Sequence, residues 1–189
     1  MTLILGGMAG PVEAGLFQPI ARIAPILMMA TEAISMPLAP RLAEMWERRD
    51  LQGIRRLFRQ STVVAVGGTV AVSIALLVLA PYILGAFGRD FLVNEHLLLW
   101  IALAQILNAA CGAAGLLLAM AGKMKLRILA QGVTMAVQIC LGLVLIGPFG
   151  AEGAAAALVA AILVWSLANW FLARKALGVE TSLLGLLRN

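Results

Sequence analysis

A chain of 189 residues that is 62% hydrophobic and only 12% charged, with mean hydropathy +1.01, is too apolar for a soluble domain; such domains are about half apolar and about a quarter charged. Its net charge of +5 and pI near 10.0 do not mark a nucleic-acid binder, because the basic residues fall between apolar segments, as they do at a membrane surface. One histidine, His96, and two cysteines, Cys111 and Cys140, each within an apolar segment, supply neither a metal cluster nor a disulfide framework, and no cofactor is implied.

Taken in chain order, Thr2–Gly10 is apolar but covers less than half a membrane. It lacks the basic start of a signal peptide and abuts Gly10-Pro11. It reads as the tail of a helix whose beginning is absent, so the chain is expected to be a C-terminal portion of something larger. Five long apolar segments follow, at roughly Ala14–Pro40, Ser61–Phe87, Leu97–Ala121, Leu126–Gly147 and Glu152–Ala173. Each reaches the ~20 residues that a helix needs to cross ~30 Å of hydrocarbon. The expectation is an all-α, polytopic bundle forming a single membrane domain over 1–189.

Orientation follows from the loops. Arg41, Arg48, Arg49, Arg55, Arg56 and Arg59 join segments one and two. Lys123, Lys125 and Arg127 join three and four, and Arg174, Lys175 and Arg188 follow five. The opposite loops hold only Arg89. Five spans place every basic loop on one side, which the positive-inside rule makes cytoplasmic. Trp46 and Trp170 on that side, with Tyr82 and Trp100 on the other, fit interfacial belts. Within the first basic loop, Leu51, Ile54, Leu57 and Phe58 recur at helical spacing, with Arg55, Arg56 and Arg59 on other faces. Segment 47–60 is therefore either an amphipathic helix lying in the interface or a plain topogenic loop.

Polar residues inside the spans carry the functional signal. A charge at a helix centre costs ~2.5–3.5 kcal/mol on insertion scales, so it normally faces a cavity or a partner. In the first span Gln18, Arg22, Pro25, Met29 and Glu32 fall in about an 80° sector of one helix face. Arg22 and Glu32 lie ~15 Å apart along the axis, too far for an intrahelical pair, so each needs its own partner. Pro19, Pro25 and Pro37 remove backbone donors and kink or open that helix. A cationic group on a kinked helix suits an anionic substrate. The structural alternative is that Arg22 snorkels outward and Glu32 pairs internally.

Elsewhere, Gln131, Thr134 and Gln138 share a face of the fourth span, Gln105 and Asn108 lie one turn apart on the third, and Ser166 and Asn169 on the fifth. These either make interhelical hydrogen bonds or line a water-filled lumen. Gly153, Ala157 and Ala161, and separately Gly112 and Gly115, mark close helix packing. Phosphate loops, nucleophile elbows and His–Glu metal motifs are absent, so catalysis is not expected.

Several stretches resemble a known family. Gly15-Leu16-Phe17 with Ala21-Arg22-Ile23-Ala24 looks like a "GLY…A-R-I-A" motif, and Ala39-Pro40-Arg41-Leu42-Ala43-Glu44 with Asp50-Leu51 like "A-P-R-x-A-E-L…G-D". Leu84-Gly85-Ala86-Phe87-Gly88 through Phe91 is similar to "L-x-L-F-G-x-x-F". Met120-Ala121-Gly122-Lys123 is similar to an "N-x-T-G-K/R" helix exit, with Met and Ala replacing the usual polar pair. Phe149-Gly150-Ala151-Glu152-Gly153-Ala154-Ala155 matches "F-G-I-x-G-A-A". Together they resemble the polysaccharide and O-antigen (lipopolysaccharide) flippase branch of the multidrug/oligosaccharidyl-lipid/polysaccharide exporter superfamily, over nearly the whole chain.

The resemblance implies a two-lobed helical transporter of which this chain is the C-terminal lobe. Its cargo would be an undecaprenyl-pyrophosphate-linked saccharide, moved across the bacterial inner membrane. Arg22 matches a basic motif position and would meet the pyrophosphate; the other wall of the cavity would come from a missing N-terminal lobe or a second copy. Two rival functions are a cation-coupled multidrug exporter, for which Glu32 is the acidic candidate, and a non-transporting scaffold of glycan assembly.

Overall fold

The computed structural model describes residues 37–48, 50–87, 95–111 and 114–177, together with single positions and pairs between 6 and 33. Every element among these is an α-helix: α1 (Leu38–Glu47), α2 (Leu51–Phe87), α3 (Glu95–Ala110), α4 (Ala114–Met120) and α5 (Met124–Leu177). Gln52–Tyr82 within α2 and Met124–Lys175 within α5 are long and apolar enough to cross a membrane. The bent pair of α3 and α4, whose axes meet at 44°, qualifies as a third if taken as one span. Much of the expected first span, Ala14–Pro40, lies outside the described residues.

The basic loop after the first span is more ordered than its sequence implied. α1 runs through 41–47, past the expected end of the span. Asp50 then starts α2 as an N-cap: its Oδ1 accepts a 2.8 Å hydrogen bond from the Gly53 N–H, satisfying one of the donors a helix start leaves orphaned. From there the helix runs unbroken for 37 residues, ~55 Å at the α-helical rise. Segment 51–60 is therefore helical and continuous with the residues that follow it. Its apolar side is also not left for lipid. Ile54 and Phe58 are fully buried with Leu38 and Leu42 of α1 and Leu117 of α4, while Arg55, Arg56 and Arg59 face outward.

The expected third span is broken. α3 ends at Ala110, Cys111 sits in a turn, and α4 resumes at Ala114. α4 ends in a Schellman motif: the Lys123 N–H donates to the Leu118 carbonyl at 2.9 Å and the Gly122 N–H to the Ala119 carbonyl at 3.2 Å. Gly122 stands between them at φ 71, a left-handed position that favours glycine.

α5 holds the expected fourth and fifth segments. As a straight rod its 54 residues would be ~80 Å long, far more than one bilayer. It is not straight. Pro148 removes a donor, and Gly150 leaves helical geometry at φ 52, ψ −125. A Cβ built on Gly153 would run into the Leu145 carbonyl, although those residues would stand ~12 Å apart in a continuous helix. Arg127 lies 6.0 Å over the Trp165 ring, where a straight helix would separate them by ~57 Å. The chain therefore doubles back at 147–150, with arms 124–149 and 151–177.

Against the apex of this hairpin pack Leu76 and Ala80 of α2, Leu97, Leu98 and Ile101 of α3, and Phe17 and Ile23 of the first segment. The small residues of the second arm, Gly153, Ala154, Ala157 and Ala161, are buried, which allows the close helix approach that membrane bundles rely on. Of the aromatics at the segment ends, Tyr82 is 76% exposed, Trp100 meets His96 edge-on at 5.8 Å, and Trp170 lies under Arg174. The side chain of Trp46 lies outside the described set.

The reversal makes a sharp demand on residue 153. Gly153→Ala should destabilise the fold by about 1–3 kcal/mol, the cost of overpacking a closed contact, whereas Gly132→Ala, on an open face of the first arm, should be neutral or stabilising. Reversible unfolding of the purified protein in mixed micelles, followed by circular dichroism, measures both.

Candidate functional site

A cavity of about 480 Å³ opens between α3 and the two arms of the hairpin. The first arm contributes Arg127, Gln131, Thr134 and Gln138, spaced at i, i+4, i+7 and i+11, so one face of one helix carries all four. α3 contributes Gln105 and Asn108, and the second arm contributes Trp165 with Ala161 and Ile162. Asn108, Gln131, Thr134 and Gln138, singled out from the sequence as either bonding or lumen-lining, are thus brought to one wall-to-wall space.

Hydrogen bonding inside it is uneven. Ser166 Oγ lies 2.7 Å from Asn108 Oδ1 and 2.7 Å from the Ile162 carbonyl; one hydroxyl proton serves one of these acceptors at a time. Asn108 Nδ2 donates to Gln105 Oε1 at 3.2 Å, and Thr134 donates back into its own helix, to the Ala130 carbonyl at 2.8 Å. Gln105 is 0% exposed, and its Nε2 has no partner among the described residues. A buried amide donor left unpaired costs ~1–3 kcal/mol. Beside the cavity, Asn169 Nδ2 donates to the Trp165 carbonyl, while its Oδ1 is unpartnered and close to Gly115.

Among the described residues, the one cation of the lining is Arg127, half-buried over the Trp165 face. Among the described residues no carboxylate lines the cavity and none lies within ion-pair distance of Arg127. The lining therefore offers one positive charge, several amides and an aromatic face, a combination that suits an anionic or hydroxyl-rich ligand. No group of three or more His, Cys, Asp or Glu among the described residues could hold a metal ion.

The first-span candidates lie elsewhere. Gln18, Arg22, Pro25 and Met29 are helical and exposed, as are Gly15, Ile26 and Ala33, which together make a stripe along one side of that segment. Phe17 and Ile23 turn the other way, into the core. None of the stripe lines the cavity. Glu32 lies outside the described residues.

Arg127 and Trp165 were missed by sequence reasoning. By sequence Arg127 groups with Lys123 and Lys125 between segments three and four, although it extends the Gln131–Thr134–Gln138 stripe by one more turn; that periodicity is the available signal. α2 carries another unread polar stripe, with Thr62, Thr69 and Ser73 all buried. No family model matches the chain, and no curated protein or solved structure is significantly similar to it.

The Ser166–Asn108 bond joins α3 to the second arm. A double-mutant cycle of Asn108→Leu and Ser166→Ala should give a coupling of roughly 0.6–1.7 kcal/mol, the range of interhelical bonds in membrane proteins. Additive losses in the same unfolding assay would show that the bond contributes nothing.

Proposed function

We propose that the chain contributes one lobe of a multi-pass transporter that moves a lipid-linked, pyrophosphate-bearing saccharide across the bacterial cytoplasmic membrane. The observation that carries this reading is the exposed stripe of the first segment: Gln18, Arg22, Pro25 and Met29 face away from a core that holds Phe17 and Ile23. Arginine on the outer face of a helix in an apolar bundle demands a polar partner, namely water, headgroups or an anionic cargo. An alternating-access transporter supplies that setting, because its substrate path lies between two moving halves. The motif resemblance around Arg22 and around the Gly150 turn supports the same assignment.

In this reading the lobe has five spans: the first segment, α2, the bent α3–α4 pair, and the two arms of α5. The ends carrying Arg55, Arg59, Lys123, Lys125, Arg174 and Lys175 face the cytoplasm. The arms, of 26 and 27 residues by their ranges, each match a bilayer with some tilt.

In cells that depend on this protein for glycan export, Arg22→Ala should abolish export and Arg22→Lys should keep a measurable part of it. Wild-type export by the alanine variant would remove Arg22 from the mechanism, and cation-dependent dye efflux lost in Glu32→Gln would replace the reading with a drug exporter. For topology, Lys125→Cys should react with a membrane-impermeant maleimide only after the cells are opened, whereas Arg89→Cys should react in intact cells.

A further inference from the structure

We propose that the cavity between α3 and the hairpin arms is a binding site for an anionic lipid with a phosphodiester and a hydroxylated headgroup, of the phosphatidylglycerol type, received from the bilayer. It is separate from the transport path assigned above, since neither Gln18 nor Arg22 lines it.

Charge is the first argument. Arg127 is half-buried and the only ionic group of the lining among the described residues, which offer it a ring face but no carboxylate. A phosphate oxygen is an acceptor that a guanidinium takes well, with two N–H groups at once. Unspent hydrogen bonding is the second. The fully buried Gln105 Nε2 is an unpaired donor on the cavity wall among the described residues, and the amide of Gln131, one turn from Arg127 on the same helix face, lines the same space. Headgroup hydroxyls satisfy groups of this kind at both ends.

Geometry favours a lipid over a dissolved phosphate ester. Arg127 stands at the end of the first arm next to Lys123 and Lys125, the level of lipid phosphates in the proposed orientation, and Gln138 lies ~16 Å deeper along the same face. Met124 and Ile128 line the cavity yet are exposed themselves, Ile128 by 64%, and Met135 and Ile139 continue that exposed apolar side along the arm. An acyl chain can follow this surface while the headgroup occupies the cavity, whose 480 Å³ falls within the ~300–1,000 Å³ typical of small-ligand sites.

The test uses the full chain in detergent micelles, titrated with dihexanoyl phosphatidylglycerol and read by tryptophan fluorescence and native mass spectrometry. Saturable binding is expected, with a fluorescence change that disappears in Trp165→Phe while the bound mass remains. Arg127→Gln should weaken binding by about tenfold or more, and Arg127→Lys by less. Dihexanoyl phosphatidylcholine should bind at least about tenfold more weakly, and sn-glycerol 3-phosphate should not compete. Arg22→Ala should leave the affinity unchanged, which separates this site from the transport reading. Should Arg127→Gln fail to fold, Gln105→Leu takes its place with the same expected loss. Equal affinity for the choline lipid, an affinity indifferent to both substitutions, or a loss in Arg22→Ala would overturn the proposal; competition by glycerol phosphate would overturn the bilayer as the source.

Discussion

Turning a helix back on itself within an apolar bundle requires that two backbones come nearly into contact while few polar groups are stranded. Here that requirement falls on Gly153 and the Leu145 carbonyl, which lie too close for any side chain at 153. Pro148 ends the first arm without leaving its own N–H unpaired, and Gly150 takes the left-handed angle that lets the chain leave helical geometry. Everything described of the site depends on this reversal. It brings Arg127 over Trp165 and aligns the polar face of one arm with the small residues of the other.

The two ends of the bundle are held by different forces. At the end bearing the basic residues, Ile54, Phe58, Leu38, Leu42 and Leu117 form a cluster among arginines; with water beside it, as in the proposed orientation, burial there would gain the ordinary hydrophobic stabilisation of ~1.5–3 kcal/mol per large side chain. Where lipid replaces water that driving force vanishes, since tails are as apolar as leucine. Close packing of Ala80, Ala102, Ala154 and Ala155 and a few interhelical bonds such as Ser166 to Asn108 take over. The Arg48–Glu44 pair, both partners well exposed, adds little.

Two arginines stand out, and they are solved in different ways. Arg22 lies on an outer face, where its partner must come from outside the described bundle. Arg127 is drawn partly inside, settled on an aromatic ring and surrounded by amides. A cation over indole keeps some electrostatic stabilisation without a counter-ion, so the cavity can stay charged and still lack an acid.

Much of this architecture was legible in the residues. Apolar runs of about bilayer length, separated by basic loops, determine an all-helical chain suited to a membrane, because only helices satisfy every backbone group in lipid while keeping apolar side chains outward. The turn at Gly147–Gly150 and the helix exit at Gly122 were also readable, since proline and left-handed glycine carry their geometry with them. The Gln131–Thr134–Gln138 face was visible by period. Which of its two meanings applied was not, because a stripe acquires an opposite wall only when another helix is placed against it. Arg127 continues that stripe by period as well, but tertiary structure alone decided that Trp165 and the wall of α3 face it. It also joined segment 51–60 to the second span and buried its apolar side. Periodicity states which residues share a face; only packing between helices distant in sequence states what that face meets.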